Sequence, residues 1–195
     1  MNKKKIFISH SQDNFGPTDY AIRIIDAIGC NPVIAEKQPK LSRTVANLVI
    51  DTLENCDAVL VIATPGLQDK GGKWAPSRGV LEELGIIKES EKFKNKFFVV
   101  KETTVDLGAM SDIAYYKFSD NDFAPIAEAI LIELGSMGIF KNYYELRGSE
   151  LQFHEFIDSL HSLKEMNVKG NIESTLFESA VKDLINQAVN KIIGK

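Results

Sequence analysis

The sequence predicts an α/β domain: a parallel five-stranded sheet with helices on both faces, followed by a C-terminal helical extension. Three observations predict it. From residue 5 to residue 134, short apolar runs alternate with amphipathic stretches, the order of successive strand–helix–strand units. Residues 57–65, DAVLVIATP, are apolar without alternation, as a strand covered on both faces is. After Gly138 no further strand pattern occurs. Residues 1–137 are therefore expected to form the α/β domain and residues 138–195 the helical extension.

Lys5 to Ser9, KIFIS, is a short first strand, and HSQDNFGPT after it is a polar loop. Asp19 or Thr18 is expected to cap the next helix, where Ala21, Ile24, Ile25 and Ile28 recur at i, i+3, i+4 and i+7. Gly29 is the expected stop. NPVIAE is the second strand, with Pro32 at its start, where a missing donor matters least. A polar, doubly basic loop, KQPKLSRT, leads to a second helix marked by Val45, Leu48, Val49 and Leu53 and ending near Asn55. Asp57 opens the third strand and is expected to cap or orient its turn. An exposed loop carrying GGKW precedes a third helix, with Val80, Leu81, Leu84 and Ile87 on its apolar face.

KNKFFVVKE is the fourth strand and AYYKF the fifth, and Ile126, Ala127, Ile130, Leu131 and Leu134 mark a fourth helix. Right-handed crossovers place the loops after the strands on one edge, so HSQDNFG, KQPKLSRT and the GGKW loop are expected to share a rim. In the extension, residues 149–166 and 172–193 have helical periodicity. The second carries an unbroken stripe that includes Leu176, Ala180 and Leu184. A stripe this wide needs a cover: the α/β domain, the preceding helix or a second copy.

Bulk properties exclude several classes. The chain is 44% hydrophobic and 26% charged, with a net charge of −4. No basic field draws it to nucleic acid or to an anionic membrane, so neither is an expected partner. No apolar run approaches the ~20 residues that span a bilayer, and MNKKKIFISH lacks the apolar core of a signal peptide; a cytoplasmic location is expected. Cys30 and Cys56 read as buried apolar residues in a reducing compartment. No Cys or His spacing suits zinc, His154 and His161 included, and no metal site is expected. GLQDKGGK fails as a Walker loop because Trp74 follows Gly72-Lys73, where Ser or Thr is required after Lys. GxGxxG, G-x-S-x-G and CxxC are absent.

Chemistry is expected where strands end, because ligands of open α/β sheets bind outside the carboxyl ends of the strands. Glu82 and Glu83 open the helix after the third strand, about 100° apart around it, so that one of them faces the cleft. Leu84-Gly85 then offers a close helix contact and free space beside Glu83. His10 and Ser11 end the first strand and could hold a phosphate or a ribose hydroxyl. Lys40, Arg43 and Arg78 could pair with a pyrophosphate, or be solvated surface. Trp74 could stack on a nucleobase or nicotinamide ring, or plug the loop from beneath.

IFISHSQD at the first strand, the polar loop before Val45, DAVLVIATP, and then W…VLEELG together resemble the TIR domain, in particular that of bacterial TIR-like defence proteins, over residues 4–135. The resemblance implies a flavodoxin-like parallel sheet. It also implies cleavage of the nicotinamide–ribose bond of NAD+ in prokaryotic antiviral defence signalling. The products would be nicotinamide and ADP-ribose or a cyclic ADP-ribose variant. NAD+ would then be the substrate, with no cofactor, and homo-oligomerisation or TIR–TIR self-association would accompany activity. The family's catalytic glutamate lies in a W-x-x-x-E-L type motif, which here falls on Glu83 followed by Leu84. His10, Ser11, Asp13, Arg43, Trp74 and Arg78 are the substrate-binding candidates. The family's Trp lies four residues before the glutamate, where this chain has Gly79; Trp74 is nine before it. Two other readings stay open. One is a nucleoside deoxyribosyltransferase-like enzyme, whose helix also starts x-E-L-G. The other is a non-enzymatic module that binds a nucleotide or assembles through its loops.

Overall fold

The computed structural model describes residues 3–11, 15–34, 45–120 and 122–140, and in the tail helical positions 159, 162, 166, 176, 179, 180, 183, 184 and 187. The elements run β1 (Lys5–Ser9), α1 (Gly16–Ala27), β2 (Asn31–Val33), α2 (Val45–Glu54), β3 (Ala58–Ala63), β4 (Leu67–Gln68), β5 (Trp74–Ala75), α3 (Arg78–Glu89), β6 (Phe97–Glu102), β7 (Tyr115–Phe118) and α4 (Ala124–Ser136). Five strands form one parallel sheet in the order β2-β1-β3-β6-β7. This is the flavodoxin-like order.

The apolar run of β3 explains its central place, since every residue in it is buried. Phe7, Val59, Val61 and Val99 pack with Val49 and Leu53 of α2 and with Val80, Leu84 and Ile87 of α3. Side chains alternate along a strand, so Ile6, Ile8, Leu60, Ile62 and Val100 turn to the opposite face. The right-handed β1–α1–β2 crossover brings Ala21, Ile24 and Ile25 of α1, all buried, to that face. Each fully buried aliphatic side chain contributes roughly 1.5–3 kcal/mol.

Asp57 orients the start of β3, as its position suggested. Its carboxylate accepts from the Lys4 ammonium at 2.7 Å and the Lys5 amide at 2.8 Å, while its own amide donates to the Lys5 carbonyl. Burial opposes ionisation, but the Lys4 and Lys5 hydrogen bonds outweigh it and hold the carboxyl below its ordinary value. A depressed carboxyl stabilises the fold above its unfolded pKa and loses that contribution as pH falls through the folded value. Asp57→Asn is therefore expected to cost about 1 kcal/mol at pH 7. Denaturant titrations of the two proteins should converge as pH drops below about 4.

Several local features differ from expectation. Helix α1 begins at Gly16, not at a cap on Thr18 or Asp19. Pro17 occupies its first turn, where the missing N–H costs nothing, and Phe15 holds the cap position without a side-chain bond. Thr18 is thereby drawn inside, and Asp19 pairs with Arg23 one turn on. Gly29 stops the helix with φ +82°, as expected. The GGKW loop is a hairpin: β4 and β5 pair antiparallel, with Leu67 opposite Ala75 and Gln68 opposite Trp74. Asp69 closes its turn by accepting from the Gly71 and Lys73 amides at 2.8 and 2.9 Å. Of NPVIAE, Asn31 to Val33 are in the strand and Ile34 is past it, while residues 35 and 36 lie outside the described part. Cys30 and Cys56 are buried free thiols, and burial is the main cause pushing both up, Cys56 to about 11.

The chain divides into two compact units, Met1–Ala129 and Ile130–Lys195. In the second, Ile130, Leu131, Leu134 and Phe140 are buried. Gly138 ends α4 at φ +69°, and the amides of Ile139 and Phe140 both donate to the Leu134 carbonyl. Leu176, placed by its periodicity in a covered stripe, is 60% exposed. The rest of residues 149–166 and 172–193, with His154 and His161, lies outside the described part.

Candidate functional site

From β1 the chain turns toward β2, and from β3 toward β6, in opposite directions. The carboxyl ends of β1 and β3 therefore flank the crevice where an open α/β sheet takes its ligand. Polar residues line those ends. Ser9 and Ser11 follow the apolar run of β1 and Thr64 follows that of β3, and all three are buried. Among the described residues, neither the Ser9 nor the Thr64 hydroxyl has a hydrogen-bond partner, and the same holds for Thr18 in the first turn of α1. A buried hydroxyl left unsatisfied costs about 1–3 kcal/mol. His10 is half-buried at the end of β1, with its ring edge-on to Phe15 at a centroid distance of 5.7 Å.

Helix α3 lies against both β1 and β3. Its start is fixed in two ways. The Ser77 hydroxyl accepts from the Val80 amide, and Gly66, just past β3, approaches the main chain of Ser77 so closely that no Cβ fits between them. Val80, Leu84 and Ile87 form the buried stripe of α3. Glu83 adjoins Leu84 at the margin of that stripe and is half-buried. Glu82 is exposed and accepts from Arg78 at 2.7 Å. Of the two glutamates, Glu82 is the more exposed and Glu83 the more buried.

Arg78, expected near a pyrophosphate, is engaged with Glu82 on the outer face of α3. Gly85 was expected to permit a close helix contact, yet a Cβ there would meet only the Met110 methyl at an ordinary 3.8 Å, so its lack of a side chain is not a packing requirement. Gly79, where the family's Trp would fall, faces open space. Trp74 is not a plug under the loop, because its side chain is 40% exposed on β5. Its carbonyl accepts from the Asp106 amide at 2.7 Å, fastening the hairpin to the segment after β6.

His10 and Ser11 thus follow the carboxyl end of β1, and Glu83 lies in the second turn of α3, the helix that lies against β1 and β3. Asp13 and the whole KQPKLSRT loop, Lys40 and Arg43 included, lie outside the described residues. Sequence reasoning did not single out Ser9 and Thr64, whose only signal is a hydroxyl closing or following an apolar run, and took Thr18 for a helix cap. It also missed Glu102, buried at the carboxyl end of β6. Among the described residues there is no group of His, Cys, Asp and Glu able to hold a metal, and no helix long and apolar enough to cross a membrane.

A β2-β1-β3-β6-β7 parallel sheet with helices packed on it defines a flavodoxin-like α/β domain. The chain belongs to the TIR domain family of CAP12/Pycsar effector proteins, whose family model matches residues 5–120. That span runs from the first residue of β1 to just past β7 and carries all five strands of the sheet. The resemblance read from FISHSQD and VLEELG to bacterial TIR-like defence proteins therefore holds at the level of the family. No curated protein matches the chain.

Proposed function

We propose that this domain cleaves the nicotinamide–ribose bond of NAD+, with Glu83 as the catalytic carboxylate, giving ADP-ribose or a cyclic variant in defence signalling. The single observation that carries the reading is the separation of the two glutamates. Glu82 is exposed and pairs with Arg78, and Glu83 is half-buried on the helix that lies against β1 and β3.

The chemistry suits one carboxylate. The nicotinamide of NAD+ is already a cationic pyridinium and leaves without being protonated. What needs stabilising is the oxocarbenium-like ribosyl centre that forms as it departs. A carboxylate beside the anomeric carbon stabilises that charge electrostatically or by transient covalent attachment. Partial burial strengthens the effect, because the effective dielectric falls away from bulk water. Water, or a nucleophile within the ADP-ribose moiety, then closes the reaction to the linear or the cyclic product. His10 and Ser11 bind phosphate or ribose at the end of β1. Self-association of TIR domains is part of the same reading.

The test is chromatography of NAD+ incubated with concentrated protein, beside a parallel incubation with a deoxynucleoside and a free base. Release of nicotinamide supports the proposal. Base exchange in the second incubation alone would replace it with the deoxyribosyltransferase reading. Tight nucleotide binding with no turnover in either would leave a binding module. Trp74→Ala refines the picture: loss of ring stacking is expected to raise KM for NAD+ about tenfold and leave kcat nearly unchanged. An unchanged KM would confine Trp74 to its role in the hairpin.

A further inference from the structure

Strand β6 carries Phe97, Val99 and Lys101 on one face, since side chains alternate along it. Phe97 and Val99 pack in the core with residues of α2 and α3. Lys101 continues that face and is itself buried, 7% exposed. An ammonium in such a place is costly unless its donors are used. Lys101 Nζ donates to the Val105 carbonyl and lies over the Tyr115 ring, 4.7 Å from its centroid. Tyr115 stands on the neighbouring strand, two residues before the Lys117 that pairs in register with Lys101. Its ring offers the cation a favourable face.

The Val105 carbonyl and the Asp106 amide are the two ends of one planar peptide group, and in a trans peptide they point to opposite sides. The Asp106 amide donates to the Trp74 carbonyl at 2.7 Å, and Val105, 2% exposed, pairs with Trp74 as a parallel bridge. One rigid plane therefore takes a bond from Lys101 on its oxygen side and gives one to Trp74 on its nitrogen side. Turning the plane breaks both. Each bond also polarises the other, because a cation on the oxygen makes the N–H a better donor.

We propose that Lys101 is the positioning residue for Trp74: through the peptide between Val105 and Asp106, its ammonium fixes the main chain from which the indole projects. The inference rests on the NAD+ reading above, in which the indole stacks on a ring of the ligand, and it names the residue that sets the indole in place. Lys101 touches no reacting atom in this account and acts only through Trp74.

Trp74 is the only tryptophan of the chain, so the fluorescence of the full-length protein reports this one indole. Lys101→Met keeps an unbranched side chain and removes the ammonium. Acrylamide quenching of the indole, now 40% exposed, should rise about twofold as local opening uncovers the rest. KM for NAD+ should rise about fivefold with kcat nearly unchanged, the loss expected when one hydrogen bond of the relay goes. Lys117→Met is the control: its ammonium lies 5.9 Å from the same ring centroid and makes no hydrogen bond to the relay peptide. Its quenching should match wild type. Unchanged quenching in Lys101→Met, an equal change in Lys117→Met, or raised quenching with an unchanged KM would overturn the proposal and leave Lys101 as buried structure. Should Lys101→Met not fold, the half-exposed Tyr115 decides: Tyr115→Leu, which withdraws the ring from the ammonium, should raise quenching and Tyr115→Phe should not, and equal behaviour of the two overturns the proposal. The two readings fail separately. Raised quenching in Lys101→Met beside wild-type protein that releases no nicotinamide sinks the glycohydrolase reading only; turnover with unchanged quenching sinks this one only.

Discussion

Glu83→Gln is expected to lower nicotinamide release by about a thousandfold or more, the scale seen when a group that stabilises transition-state charge is removed. The amide keeps the shape of the side chain and loses only its charge, so the protein should fold as before and NAD+ should still bind. The loss should therefore fall on kcat, with KM little changed, the signature of an interaction made chiefly in the transition state. Glu82→Gln is the matched control. It removes an exposed ion pair to Arg78, of a kind worth under about 1 kcal/mol, and should leave turnover within about twofold. Equal losses in the two variants, or full activity in Glu83→Gln, would remove Glu83 from the mechanism.

Gly66→Ala is expected to give the largest structural effect of a single methyl group. The added Cβ would lie 2.6 Å from the Ser77 amide nitrogen and 2.8 Å from its Cα. Both are main-chain atoms, so no rotamer change absorbs the overlap and the N-terminus of α3 must shift. Overpacking of this kind costs about 1–3 kcal/mol. For a chain of this length that corresponds to a fall in Tm of roughly 3–10 °C by calorimetry. Because Glu83 lies in the second turn of the displaced helix, kcat/KM for NAD+ should drop up to about a hundredfold, as misplacement by an ångström can do. Gly79→Ala makes the contrast: a Cβ there meets nothing within 4 Å, and Ala is the better helix former, so Tm should hold or rise slightly. A normal Tm and normal activity in Gly66→Ala would mean that the α3 start is not fixed by this contact.

How far the sequence reached depended on the length of each signal. The unbroken apolar run of β3, the stripe Val80, Leu84 and Ile87, and the stop at Gly29 are patterns of several residues or of one unmistakable residue type, and the structure reproduces them. The α1 start was misplaced because Pro17 needs no polar cap, and a search for Thr18 or Asp19 as a cap looks too late. The β4–β5 hairpin has two residues per strand, too short for any periodicity, and its turn is closed by a side chain, Asp69. The pairing of strand ends is a property of the register, so Ala63 beside Lys101 could not be read from positions nearly forty residues apart. Glu83 could be singled out because its motif is local. Which of the two adjacent glutamates is the more buried is visible only in the structure, where Glu82 pairs with Arg78 at the surface.

The strip bearing Trp74 is moored by main chain at both margins. On one side the Gly66 amide donates to the Ala75 carbonyl at 2.9 Å, and on the other the Asp106 amide donates to the Trp74 carbonyl at 2.7 Å. A strip held this way cannot swing as a flap. The indole explores only what its own two side-chain torsions allow, over picoseconds to nanoseconds rather than the microseconds to milliseconds of a moving gate. The hairpin is thus a fixed edge of the domain and not a hinged one.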